Sequence, residues 1–110
     1  MDYNKDHQII HDSVLVASRP FGRLIKEILA FEIPSSTGLW TKKCFNPDTF
    51  EIVDKTLDVK LEALECYKTE IPGYPHPRSL KSIKYRAHYW GSIINQIAVE
   101  PFITLRRINI

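Results

Sequence analysis

The chain has 110 residues, 44% hydrophobic and 25% charged, close to the averages of folded globular proteins, which excludes disordered, collagen-like and coiled-coil classes. A chain of this length forms one domain, residues 1–110, with a thin core. Fifteen Lys and Arg against thirteen Asp and Glu leave a formal charge of +2 with no basic run, so no nucleic-acid partner is expected.

From Asp6, apolar Ile10, Val14 and Ala17 recur at i, i+4, i+7, flanked by Ile9 and Val16. This is the period of a half-buried helix, stopped by Pro20 and Gly22. Residues 25–33, IKEILAFEI, are rich in β-branched and aromatic side chains with neither side cleanly polar, which predicts a strand buried on most of both faces, ended by Pro34. Residues 34–49 hold turn formers and read as a loop. A short strand, FEIV, follows at 50–53. Asp54 is positioned to cap a helix with the stripe Leu57, Leu61, Leu64 and Tyr67, ending near Ile71 before Pro72 and Gly73. Ser79 caps the next helix, whose inner face is Leu80, Ile83, Ala87 and Trp90 up to Gly91. A second helical piece is expected around Ile93 to Ala98, and PFITLRRINI at 101–110 reads as a final strand. The order predicts a lopsided α/β layer supplying one half of a parallel sheet.

Cys44 and Cys66 have neither metal-knuckle spacing nor the number of a disulfide framework, so a reducing, cytoplasmic compartment is the expectation. No apolar run approaches the roughly 20 residues that span a bilayer, and no membrane span is expected.

The density of ligand-type side chains is highest at the start, in NKDHQIIH at 4–11. His7 and His11 stand at i, i+4 on one helix face, the spacing of a helical zinc protease. That chemistry needs a Glu as general base immediately after the first His, and Gln8 stands there; a neutral amide takes no proton from water. His11 then reads as a surface histidine.

The series DYNKDH (2–7), an amphipathic helix, FEIPSS (31–36), LEALECY (61–67), YPHPRS (74–79) and VEPF (99–102) resembles, in order and over nearly the whole chain, the C-terminal part of the PIG-L (LmbE-like) family of zinc-dependent N-deacetylases. The resemblance implies the C-terminal half of a Rossmann-like α/β fold with an incomplete sheet. It implies an activity that removes acetyl groups from N-acetylated amino sugars or glycosides.

On this resemblance His7 is a zinc ligand. Asp6, just before it, either orients that imidazole as an outer carboxylate or caps the helix start. Where many family members carry a His assigned to protonation or oxyanion stabilisation, this chain has Asn4, which donates a hydrogen bond but shuttles no proton at neutral pH. Asp2 matches another acidic position of the motif. Ser35 and Ser36 either line a substrate pocket at the strand end or simply form a turn. His76 and Arg78 belong to HPRS, which the family repeats; Arg78 pairs either with a substrate group through its planar fork or with a carboxylate such as Glu100. Trp40 is a candidate for stacking on a sugar or for anchoring the loop, and Trp90 is expected in the core.

The family's other two zinc ligands and its general base come from an A-H-P-D-D-E motif. No HPDD stands in these 110 residues, where the nearest segments are NPDT at 46–49 and HPRS at 76–79. Three fixed donors are needed to hold catalytic zinc. The expectation is therefore a C-terminal segment, inactive alone, that self-associates or is completed by another chain carrying the first half. The alternative is a non-catalytic interaction module.

Overall fold

The computed structural model describes residues 2–38 and 44–110. Trp40 lies outside the described residues. Six elements follow in the expected order: helix α1 (Lys5–Ala17), strand β1 (Glu27–Phe31), strand β2 (Thr49–Ile52), helix α2 (Leu57–Glu65), helix α3 (Leu80–Ile93) and strand β3 (Val99–Arg107). The class is mixed α/β. The sheet has the order β1-β3-β2, and its strands are antiparallel rather than the expected parallel half-sheet. β1 runs opposite to β3, from Glu27 paired with Arg107 to Phe31 paired with Phe102. β2 does likewise: the Asp48 N–H donates to the Phe102 carbonyl at 3.0 Å and the Val53 N–H to the Ala98 carbonyl at 3.0 Å. A parallel arrangement needs a crossover between neighbouring strands, whereas here the last strand turns back and lies between the first two. Among the described residues no helix is long and apolar enough to cross a membrane.

The chain divides into two compact units, residues 1–49 with 102–110, and residues 50–101. In the first, α1 begins at an N-cap, Asn4, whose side-chain oxygen accepts the N–H of Asp6 and of His7. Arg106 ties the end of this helix to β3 by donating to the carbonyls of Ser18 and Ile25. Arg107 grips Glu27 across the strand pair through Nε at 3.1 Å and Nη2 at 2.9 Å. A register shift between Ile28 and Leu29 leaves Leu105 without an opposite residue. Two expectations fail here. No residue of α1 is buried, with Ile9, Ile10, Val14 and Val16 all exposed, so its apolar stripe is not half-buried. β1 buries only Ile28, and Phe31 is 64% exposed.

In the second unit Leu57, Ala87 and Ala98 form the core, with Val53 and Leu61 packed on it. α2 starts after Thr56, which makes no side-chain cap bond. The carboxylate of Asp54, expected as that cap, instead accepts the Ala98 N–H at 2.9 Å. Tyr67 lies beyond the end of α2 and is 62% exposed, outside the expected stripe. Ser79 does cap α3, accepting the N–H of Ser82 at 3.1 Å.

The helix expected at 93–98 is absent, and the physical reason is the end of α3. Asn95 adopts φ +58°, the Gln96 N–H returns to the Gly91 carbonyl at 2.8 Å and the Asn95 N–H to the Ser92 carbonyl at 3.3 Å. This paired closure around a left-handed residue terminates a helix. It sends the chain directly into β3.

Candidate functional site

The N-terminal stretch is ordered by two separate sets of bonds within the first unit. Locally, Oδ1 of Asp2 accepts the Asn4 N–H at 2.8 Å, a turn that Asp forms readily two residues ahead of its partner. Asn4 then caps the helix, accepting from Asp6 at 2.9 Å and from His7 at 3.3 Å. At longer range, Asp2 forms an antiparallel bridge with Thr37, and the Tyr3 N–H donates to the Ser36 carbonyl at 2.8 Å. The start of the chain is thereby tied to the turn that follows β1.

That turn is itself closed. Pro34 and Ser35 occupy its middle, Ser35 at φ +76°, while Ser36 and Thr37 return their N–H groups to the Ile33 carbonyl at 3.0 and 2.9 Å. The Thr37 hydroxyl accepts the Ile33 N–H at 2.7 Å. Pro followed by a residue of positive φ is the arrangement of a type II turn. The serines are thus turn formers by their backbone, with Ser35 exposed and Ser36 half-buried.

His7 meets Asp2, whose backbone is bridged to Thr37 of this turn. Its Nδ1 lies 3.1 Å from Oδ1 of Asp2, with the two side chains 29% and 20% exposed. The ring is neither immersed in an apolar interior nor fully solvated. In the neutral Nδ1–H form it donates to the carboxylate, which leaves the lone pair on Nε2. An imidazole so held has the tautomer and orientation of a metal ligand backed by an outer carboxylate. The Gln8 amide also reaches this corner, donating to the Asp2 carbonyl at 2.5 Å. His11 is different: it is exposed and lies beside Asp12 at 3.3 Å.

The carboxylate on the ring belongs to Asp2, not to Asp6, which is exposed in the first turn of α1. Of the two roles weighed for Asp6, neither is taken by its side chain among the described bonds, since Asn4 performs the capping. The signal for Asp2 was present in the sequence as an Asp two residues ahead of a capping Asn. Asp2 is also bridged to Thr37, a pairing that local spacing does not reveal.

His76 and Arg78 lie in the second unit. Nδ1 of His76 accepts the Arg78 N–H at 3.1 Å, a local turn leading into α3. Glu100, the carboxylate considered for Arg78, is joined to Lys60.

Comparison with protein-family models, with curated proteins and with solved structures finds no match. Among the described residues no group of three or more His, Cys, Asp or Glu side chains is gathered closely enough to hold a metal ion. His7 fits the description of one donor. The set of three that catalytic zinc requires is not assembled by these residues alone.

Proposed function

We propose that the chain is the C-terminal portion of a PIG-L-type hydrolase that deacetylates N-acetylated amino sugars or glycosides, half of a Rossmann-like layered fold. In this reading Nε2 of His7 is one of three protein donors to zinc, and residues outside these 110 supply the other two and the general base. Asn4, Ser35 and Ser36, all of the first unit, line the substrate cleft of the complete enzyme. The observation that carries the reading is the Asp2–His7 pair at 3.1 Å, fixed beside the turn after β1. It gives the imidazole the second-sphere partner that metal-binding histidines use, and it lies in the DYNKDH segment that carries the resemblance. One imidazole does not hold zinc against water, so the chain alone is expected to be inactive.

The test is complementation. The in-frame DNA upstream of the Met1 codon is expressed with the 110-residue chain, and zinc content and release of acetate from an N-acetylglucosaminide are measured. The reading expects the upstream segment to encode A-H-P-D-D-E and the pair to hydrolyse the substrate only when zinc is bound. Stoichiometric zinc together with turnover by the 110-residue chain alone overturns it.

A second reading, a non-catalytic interaction module, is favoured by one observation: β1 and β2 form the two edges of the sheet in the order β1-β3-β2, and open edges template pairing. A clean monomer of the isolated chain at high concentration in sedimentation counts against it.

A further inference from the structure

Apart from Arg78, considered above for a substrate group, one surface of the second unit is left unused by the reading above. Residues 71–99 contain Arg78, Lys81, Lys84 and Arg86 and no Asp or Glu. Of the chain's fifteen basic residues these are four, leaving eleven against all thirteen acidic residues elsewhere. The segment is thus a cationic patch in a chain that is otherwise slightly acidic.

α3 sorts this segment into two faces. Ala87 and Gly91 are buried and Ile83 and Trp90 half-buried, which defines the inner side. Lys81, Lys84, Tyr85, His88 and Tyr89 recur at i, i+3, i+4, i+7 and i+8, the spacing of one helical stripe. Of these Lys81, Lys84, Tyr85 and Tyr89 are exposed, and His88 is turned to its own unit, with Nδ1 2.7 Å from the Ile97 carbonyl. The rings are unusually open for tyrosine: Tyr74 is 57%, Tyr85 51% and Tyr89 60% exposed. Tyr74 and Tyr85 meet edge to face at 6.0 Å. The Lys81 ammonium stands over both, at 4.8 and 5.8 Å from their centroids, so its charge is held beside the aromatic faces.

We propose that this outer face of α3, with Arg78 and Tyr74 at its entry, binds single-stranded nucleic acid. The geometry offers both components that such binding uses, cations for phosphates and exposed rings on which bases of any identity stack. Tyr85 and Tyr89 are one helical turn apart, about 6 Å along the axis, so two successive bases can each meet a ring. A lipid surface fits less well. Interfacial helices present Leu, Phe or Trp outward, whereas this stripe carries none and Trp90 is on the inner side. The patch escapes a reading of the linear sequence because its charges are interrupted by the inward residues of the helix.

The test uses the full 110-residue chain and fluorescence anisotropy of a labelled twenty-residue oligothymidylate. Heparin, a polyanion without bases, serves as competitor, and vesicles containing phosphatidylserine serve as a separate probe. Three phosphate contacts, from Arg78, Lys81 and Lys84, weaken binding about 20-fold between 50 and 200 mM salt, and Lys81→Ala with Lys84→Ala reduces that dependence to about threefold. Tyr85→Ala with Tyr89→Ala weakens oligothymidylate binding on the order of tenfold but leaves heparin binding within about twofold, and the corresponding double Phe variant retains the wild-type affinity. Equal loss of heparin and oligothymidylate binding in the double Ala variant overturns the proposal. So does vesicle binding without oligonucleotide binding, or the absence of any salt-dependent binding.

Discussion

The Asp54 carboxylate accepts the Ala98 N–H at 2.9 Å across 44 residues of sequence. It anchors the entry to β3 beside the core formed by Leu57, Ala87 and Ala98. Removing an acceptor from a part-buried N–H costs about 1–3 kcal/mol. Asp54→Ala is therefore expected to lower the free energy of urea unfolding by that amount, whereas Thr56→Ala, which removes no cap bond, changes it by under about 0.5 kcal/mol. Equal effects of the two substitutions would show that the bond from Ala98 to Asp54 contributes no more than an exposed threonine.

Asn4 is expected to matter to stability before it matters to chemistry. Its side-chain oxygen satisfies two N–H groups at the start of α1, and loss of such a cap costs about 1 kcal/mol. Asn4→Ala should show that loss in chemical denaturation, while Asn4→Asp, which keeps an accepting oxygen, should be nearly neutral. Asn4→Ala should also fray the first turn, seen as faster amide exchange at Asp6 and His7.

Gly91 sits in a helix, where Ala is ordinarily preferred by about 1 kcal/mol. A methyl group there would meet the Gln96 carbonyl oxygen at 2.5 Å and that of Ile97 at 2.9 Å. Both are backbone atoms of the turn that closes α3, so the neighbour cannot rotate away. The clash outweighs the propensity, and Gly91→Ala is expected to destabilise by about 1–3 kcal/mol. A stabilised variant in thermal unfolding would mean that this turn is looser than its bonds imply.

Asp48 links stability to acid. The Thr104 N–H at 2.9 Å and the Thr49 hydroxyl at 3.0 Å favour its charged form and hold its carboxyl below the ordinary value of 3.8. A carboxyl depressed by folding adds stability above its unfolded value and loses it as pH falls through the folded one. Stability should therefore decline as pH drops below about 4. Asp48→Asn should flatten that part of the profile, and an unchanged profile would assign the acid sensitivity elsewhere.

The order of the six elements was legible because its punctuation is local. Pro20 with Gly22, Pro34 and the capping Ser79 each act within a few residues of themselves, whereas α2 ends at Glu65, well short of the expected end near Ile71 before Pro72 and Gly73. What escaped was set at a distance or by the backbone. Asp54 was drawn from its helix by an N–H 44 residues away. Asn95 ended α3 through a left-handed conformation that apolar periodicity does not register. The antiparallel sheet depended on where β3 inserted, a choice invisible to strand patterns. In the candidate site the adjacent Asp6 reads equally as a carboxylate for the His7 ring or as a helix cap, whereas Asp2 stands on the ring, and its bridge to Thr37 joins segments far apart in sequence.

The most direct measurement is of the protonated nitrogen of His7. Long-range nitrogen–proton correlation spectra of the 110-residue protein above the titration range of histidine distinguish the two neutral forms of each imidazole. The account predicts the Nδ1–H form for His7, donating to Asp2, and reversion toward the ordinary mixture in Asp2→Ala. A dominant Nε2–H form in the unaltered protein would leave no free lone pair on Nε2 and contradict the proposal that His7 is a metal donor.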